Sequence, residues 1–403
     1  MRRILVIGGG QAAAALIGKL VANGVTSGIT LVSGEPHAPY QRPPLSKAYL
    51  LGDMAQDRLF FRPAAWYTEN GVTLRLGTRA VGIDATLKQV TLSGGDVLDY
   101  DDLVLTTGAW PRTLPASIGG SLDNVFAVRD LADADAMAPH FKQGARCLIV
   151  GGGYIGLEAA AVAAKRGVTV TLVEAAERIL QRVACPETSD YFRNLHRSHG
   201  VDIREGTGLV RLTGDGAVTG AELADGTTLD IDFAVVGVGI APATELADGA
   251  GLTLDNGIAC DAHGRTSDPH IWAAGDCAST PVPGGRVRIE SVGNAIDQAE
   301  IVAQNLLGHD VTYQPAAWFW SDQYDVKLQI AGLNTGYTDV YVKPGDGLAR
   351  SHWYYKGDQL IAIDAMSDVR NYMVGKRLIE GGISPAPSVV IDPSTDMKAL
   401  LRP

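Results

Sequence analysis

Two stretches of the chain carry glycines at a spacing that lets backbone close on a phosphate. In the first, Gly8, Gly10 and Ala13 form a G-x-G-x-x-A turn between the apolar run RILVI and an alanine-rich segment. The first glycine permits the tight turn, the second lets backbone approach a pyrophosphate, and the small third residue lets a helix pack on a strand. The helix N-terminus then faces the phosphate charge. Glu35 stands just beyond the next apolar run, where a carboxylate accepts ribose hydroxyls. In the second stretch Gly151, Gly153 and Gly156 repeat the pattern in GGGYIGLE, and Glu174 closes the run that follows. A carboxylate there favours a free 2′-hydroxyl and repels a 2′-phosphate. Ala175 and Ala176 come next and Arg178 is the first arginine beyond them, so NADH is expected in preference to NADPH.

These turns work only between particular elements. The first predicts a strand over 3–7, a helix over 11–23 and a strand over 29–32; the second predicts a strand over 146–150, a helix over 154–166 and a strand over 169–174. The chain thus holds two mononucleotide-binding repeats. Alternating segments at 73–76, 89–92 and 217–223 read as small β-meanders. From residue 318 onward, alternating runs at 327–331, 339–342, 352–356 and 360–365 read as an antiparallel sheet, followed by a helix over 370–380. The last twenty residues, with Pro385, Pro387 and Pro393, read as an extended tail.

Two dinucleotide sites imply two dinucleotides, and the economical pairing is a tightly held flavin with an exchanging nicotinamide. Where a nicotinamide module is inserted in a flavin module, the flavin turn comes first and the chain returns to it later. The returning segment is TSDPHIWAAGD, where an apolar strand ends in Gly275 and Asp276; the carboxylate can take hydrogen bonds from a ribityl chain. The fold expected is α/β, with two Rossmann-like dinucleotide-binding domains and a C-terminal α+β domain. The expected boundaries are 1–110 with 243–317 for FAD, 111–242 for NADH, and 318–403 for the C-terminal domain.

Composition narrows the rest. A chain of 403 residues exceeds what one core usually serves. Its longest apolar runs fall far short of the roughly 20 residues a membrane span needs. The opening MRRILVIGGG begins like a secretory signal, but three glycines interrupt it, so it reads as mature structure in a cytoplasmic protein. Cys147, Cys185, Cys260 and Cys277 form no CxxC pair and read as buried thiols, which removes a redox dithiol from the chemistry. The eight histidines form no HxH or HExxH pattern, so no metal is assigned, and no GxSxG elbow is present. A net charge of −11 argues against nucleic acid as a partner. An acidic protein partner would need a local basic patch, for which Arg286, Arg288, Lys327 and Arg350 are candidates.

Six segments give the chain a family resemblance: PYQRPPLSK (39–47), TTGAWPR (106–112), GGGYIGLE (151–158), TSDPHIWAAGD (266–276), RIESVGNAIDQA (288–299) and WFWSDQYDVKLQIAG (318–332). Together they resemble the FAD-dependent ferredoxin reductases, relatives of glutathione reductase and of apoptosis-inducing factor, over essentially the whole chain. The resemblance implies that Ala12, Glu35, Arg42, Lys47, Val81, Thr107, Gly108, Arg129, Asp276 and Val292 contact FAD. It implies that Gly153, Ile155, Glu174 and Gly239 line the NADH site, with Glu290 near the nicotinamide. Lys47 and Glu158 would pair close to flavin N5 and Trp320 would neighbour the flavin ring. By composition alone Lys47 and Glu158 read as solvated charges, and Trp318, Phe319 and Trp320 as core aromatics. The activity implied is transfer of electrons from NADH through FAD to a [2Fe-2S] ferredoxin serving a cytochrome P450 or Rieske oxygenase. Rubredoxin reductase, NADH oxidase and an apoptosis-inducing-factor-like flavoprotein are the other readings on the same fold. Gly293 and Gln41 depart from the common family wording.

Overall fold

The apolar run Ile4–Ile7 is buried along its whole length, the pattern of a middle strand in a parallel sheet covered on both faces. In the computed structural model, which describes residues 2–402, it is the third of five strands. The order is Ile271–Ala273, Asp102–Leu105, Ile4–Ile7, Ile29–Val32, Val72–Arg75, every pair parallel. One side of the sheet is covered by the helices Gln11–Ala22 and Val292–Leu306, whose Leu16, Ile17, Leu20, Val302 and Leu306 share a core with Val6 and Val104. The antiparallel strands Ala80–Asp84, Gln89–Leu92 and Val97–Asp99 contribute Val90 and Leu92 to the core on the other side. These elements belong to a unit made of Met1–Arg42, Ala55–Trp110 and Ile240–Ala317.

The second unit comprises Pro43–Met54, Pro111–Gly239 and Trp318–Pro403. Its parallel sheet runs Asp202–Glu205, Thr169–Glu174, Arg146–Val150, Phe233–Val236, Val125–Phe126. Again the strand that feeds the glycine turn is central, with the next strand in sequence on one side and a much later one on the other. The crevice at such a switch point is where doubly wound folds take ligands. The C-terminal sheet of this unit is wholly antiparallel, in the order Trp318–Gln323, Val326–Gly332, Gln359–Met366, Arg350–Lys356, Asp339–Pro344, with the helix Val369–Glu380 packed on it. Val326, Leu328 and Met366 share one core with Leu50, Ile149, Leu157 and Leu172, so three segments distant in sequence form this unit.

Two expectations are corrected. The run near residue 73 is no meander: Val72–Arg75 is the parallel edge strand of the first sheet. An edge strand is half solvated, so it shows the same alternation as an antiparallel hairpin. The C-terminal residues are not an extended tail either. Pro387 opens the short helix Pro387–Ile391, a position that needs no N–H donor, and Met397–Leu401 form a 3-10 turn. Val390 and Met397 are buried with Trp353, Tyr355 and Leu378, and Lys343 Nζ donates to the Val390 and Asp392 carbonyls at 2.9 and 2.7 Å. Among the described residues no helix is long and apolar enough to cross a membrane.

Truncation of Met397 to alanine should therefore lower stability by about 2–5 kcal/mol, where a solvated tail would change it by less than about 0.5 kcal/mol. Urea unfolding followed by tryptophan fluorescence measures the difference.

Candidate active site

Both glycine turns have the stereochemistry their sequences require. Gly8 and Gly151 sit at φ +108° and +105°, and a side chain on either would overlap a carbonyl oxygen of the neighbouring strand end, that of Thr106 or of Gly237. A Cβ at Gly10 or Gly153 would meet nothing within 4 Å, so these two backbones face open space at the helix starts. A pyrophosphate needs that approach. The third position differs between the turns. Gly156 lies so close to the Gly151 carbonyl that no Cβ fits, whereas the first turn accepts Ala13, which is fully buried. Ala12 also faces Gly275, at φ +85°, where a Cβ would lie 3.2 Å from the alanine methyl. Gly275 N–H donates to Gln298 on the helix Val292–Leu306 at 2.8 Å, so the returning segment is tied to that helix, whose Ser291 cap accepts from Asn294 N–H. The residues present fit two dinucleotides.

The acids beyond each turn are engaged. Glu174 accepts from the backbone N–H of Gly152 at 2.7 Å and of Ala176 at 2.8 Å, one on each oxygen. Each oxygen keeps a lone pair for a hydroxyl. Arg178 donates to Ser189 Oγ at 2.5 Å and to the Gln181 carbonyl. In the first unit Glu35 takes hydrogen bonds from both Tyr40 and Arg42, a pairing not foreseen from the sequence. Val81 is 58% exposed, Thr107 Oγ1 donates to the Ala243 carbonyl at 2.7 Å, and Gly108 lies at φ +71°. Ile155, in the first turn of the helix Tyr154–Lys165, is exposed, and Gly239 accepts from Arg112 N–H at φ +101°. Arg129 begins the capped start of the helix Leu131–Met137, its N–H donating to Asp133. Glu290 is paired with Arg288 at 2.7 Å.

Lys47 and Glu158 do come together. Their charges are 2.7 Å apart, with the glutamate 4% and the lysine 17% exposed. Ser46 Oγ donates to the same carboxylate oxygen at 2.8 Å, and Ser321 Oγ donates to the other at 2.6 Å. The Pro43–Ser46 turn, stiffened by two prolines, sets Ser46 and Lys47 side by side. Neither serine was singled out in the sequence; the signal was present in the segments PPLSK and WSDQ, which also hold the named residues. On the strand Trp318–Gln323 successive residues face opposite ways. Phe319, Ser321 and Gln323 turn toward Tyr154, Glu158 and His196, while Trp320 stacks on Trp318 at 5.6 Å.

All four cysteines are buried, unpaired thiols. Burial raises each of them, Cys185 to about 11, so none is a thiolate at neutral pH. Cys185, His352 and Asp364 cluster closely enough to suggest a metal site, yet the Thr188 hydroxyl already contacts all three, at 3.3, 2.7 and 2.7 Å. Of the four cations suggested for docking, two are engaged within the protein. Arg286 donates to the Cys260 and Ser279 carbonyls and Arg288 is held by Glu290, which leaves Lys327 and Arg350 exposed.

Two dinucleotide turns and a buried charge pair define the class: an oxidoreductase using FAD and a nicotinamide dinucleotide. Residues 2–299 match the family described as pyridine nucleotide-disulphide oxidoreductase, and residues 318–401 match the reductase C-terminal family. A ferredoxin–NAD(P)+ reductase of Sphingomonas sp. is 40% identical over 99% of this chain and 98% of its own. Putidaredoxin reductase of Pseudomonas putida is 39% identical over 99% and 96%. Among solved structures, the covalent putidaredoxin reductase–putidaredoxin complex matches with a TM-score of 0.95 at 38% identity, covering 99% of this chain and 98% of that one. A ferredoxin reductase from Rhodopseudomonas palustris matches with a TM-score of 0.94 at 37% identity over 100% of both. The chain belongs to the pyridine nucleotide-disulphide oxidoreductase family, in its group of FAD-dependent ferredoxin reductases.

The buried cluster makes a pH prediction. Burial raises Asp364 from 3.8 to about 6, so its contribution is present below the lower value and lost as pH rises through the upper one. Burial lowers His352 from 6.5 to about 4, so its contribution is gained over much the same span. The slopes oppose each other. In Asp364→Asn the histidine slope is left alone, and stability should climb about 3 kcal/mol more steeply across that window than in the parent, read from urea midpoints at several pH values.

Proposed function

We propose that the chain passes electrons from NADH through FAD to a [2Fe-2S] ferredoxin that serves an oxygenase. One observation carries the reading: each of two glycine turns has the open approach a dinucleotide needs, while every cysteine is a buried, protonated thiol. A disulfide-reducing relative would route electrons through a thiol pair, and here they must leave to an outside acceptor. When bound, FAD takes a hydride from NADH and releases the electrons one at a time, which a nicotinamide cannot do. The balance is NADH plus two oxidised ferredoxins to NAD+, two reduced ferredoxins and one proton.

In this reading Gly8, Gly10, Ala12 and Ala13 admit the FAD pyrophosphate to the start of the helix Gln11–Ala22. Glu35, Arg42, Val81, Thr107, Gly108, Arg129, Gly275, Asp276, Val292 and Trp320 complete the FAD contacts. Gly151, Gly153, Ile155 and Gly156 admit NADH, with Glu174 and Gly239 beside it and Glu290 near the nicotinamide. Lys47, held by Glu158, supplies a positive charge to balance the negative charge that reduction adds at the flavin. The protein's share of the work is positioning and electrostatics. A cytoplasmic setting belongs to the same reading, supported by four cysteines kept as thiols.

Cytochrome c reduction by NADH with and without a [2Fe-2S] ferredoxin tests the assignment. Strong dependence on the ferredoxin is expected; rapid NADH consumption with oxygen alone would favour an oxidase. Glu174 should select the nucleotide. The Glu174→Arg variant should raise the NADPH to NADH ratio of kcat/KM by about tenfold or more, since it trades a repelling carboxylate for a phosphate partner.

A further inference from the structure

A line of buried polar side chains leads away from Glu158, and its polarity can be deduced. An ionised carboxylate only accepts, so Ser321 must spend its single hydroxyl proton on Glu158 Oε1 at 2.6 Å. The Ser321 oxygen then accepts, and its neighbour is Gln323, whose Nε2 donates at 3.1 Å. That fixes the amide: Gln323 Oε1 faces His196 Nε2 at 2.8 Å and must accept its proton. The imidazole is buried and its pKa is pushed down to about 4, so it is neutral, and Nδ1 is left to accept from the Tyr324 hydroxyl at 3.1 Å. Every donor in the line points toward Glu158. Ser321, Gln323 and His196 are each fully buried, and a polar group in such a place is retained only when it is bonded.

The outer end is held by strain. Tyr324 opens the two-residue turn between the strands Trp318–Gln323 and Val326–Gly332, and its φ is +58°, a region that hairpins usually give to glycine. The turn sets the Tyr324 ring edge-on to His196 at 5.0 Å and stacked on the exposed His199 at 3.7 Å. Strained backbone persists where the surroundings over-determine it.

We infer that Ser321, Gln323, His196 and Tyr324 form a one-way hydrogen-bond chain that holds the Glu158 carboxylate in register with Lys47, which makes them positioning residues for that pair. An amide in the middle cannot hand on a proton without becoming an imidic acid, so the chain is a fixed row of dipoles and not a proton wire. Its consequence for turnover rests on the reading that the pair serves the flavin. The titratable and charged groups facing the line are Lys47 at the inner end, and at the outer end His199 and Lys165, whose Nζ donates to the Tyr324 carbonyl at 3.0 Å.

The test uses the FAD-loaded protein and three measurements: stopped-flow reduction by NADH across the acid and neutral range, the NADH Kd, and 15N NMR of the histidines. Gln323→Glu keeps the shape but accepts where the amide donates, so Ser321 turns its proton outward and Glu158 loses a donor. Both Gln323→Glu and Ser321→Ala should slow flavin reduction about tenfold, with the NADH Kd unchanged. The parent should show His196 as the neutral Nε2–H tautomer. Retention of the parent rate in both variants, when Lys47→Met and Glu158→Gln do slow reduction, would overturn the chain. An Nδ1–H or charged His196 in the parent would overturn it too. If Lys47→Met and Glu158→Gln leave reduction unchanged while the tautomer is as stated, the flavin reading of the pair fails and the chain stands.

Discussion

The second unit is organised around a charge that cannot reach water. Glu158 lies on a helix whose other buried residues are glycine, alanine, leucine and valine, and a carboxylate in that setting costs several kcal/mol unless it is paired and hydrogen-bonded. Its partners come from two places far apart in the chain: Ser46 and Lys47 from the proline turn, and Ser321 from the edge strand of the C-terminal sheet. The segment after that turn, the helix that carries Glu158 and the C-terminal sheet share an apolar core through Leu50, Leu157 and Leu328. Removing any one partner leaves a buried acceptor short, so the geometry of the pair and the assembly of the unit are the same constraint.

The two glycine turns show how closely backbone geometry follows what it must admit. In both, the first glycine is required by a positive φ and by the strand end beside it, and the second by open space. They part at the third position, where the second turn has no room for a methyl group and the first buries one. The difference lies in how near each helix rides to its turn, and it leaves the phosphate approach alike in the two modules.

What the cysteines do not do matters as much. Four buried thiols, each raised by burial, leave no place for electrons to rest on sulfur. Cys185 instead joins Thr188, His352, Tyr354 and Asp364 in a buried network that ties the helix Pro186–Ser198 to the C-terminal sheet. His352 Nε2 and Asp364 Oδ1 have no partner there, and the two titrations oppose each other. Such a network specifies which faces meet more than it adds stability.

The sequence by itself determined the parts governed by local rules. Gly8, Gly10, Gly151, Gly153 and Gly156 announced their turns because φ and close approach are properties of single residues at fixed offsets, and the flanking strands and helices followed within a residue or two. The pairing of Lys47 with Glu158 was legible only through resemblance, since no local rule links residues so far apart. Tertiary structure alone decided the rest. It made Val72–Arg75 a parallel edge strand, folded Val390 and Met397 into a core, gave Glu35 to Arg42 and Tyr40, and aligned Ser321, Gln323, His196 and Tyr324. Edge or centre, buried or solvated, bonded to one neighbour or another are settled by what packs against a residue, and that is contributed by distant chain.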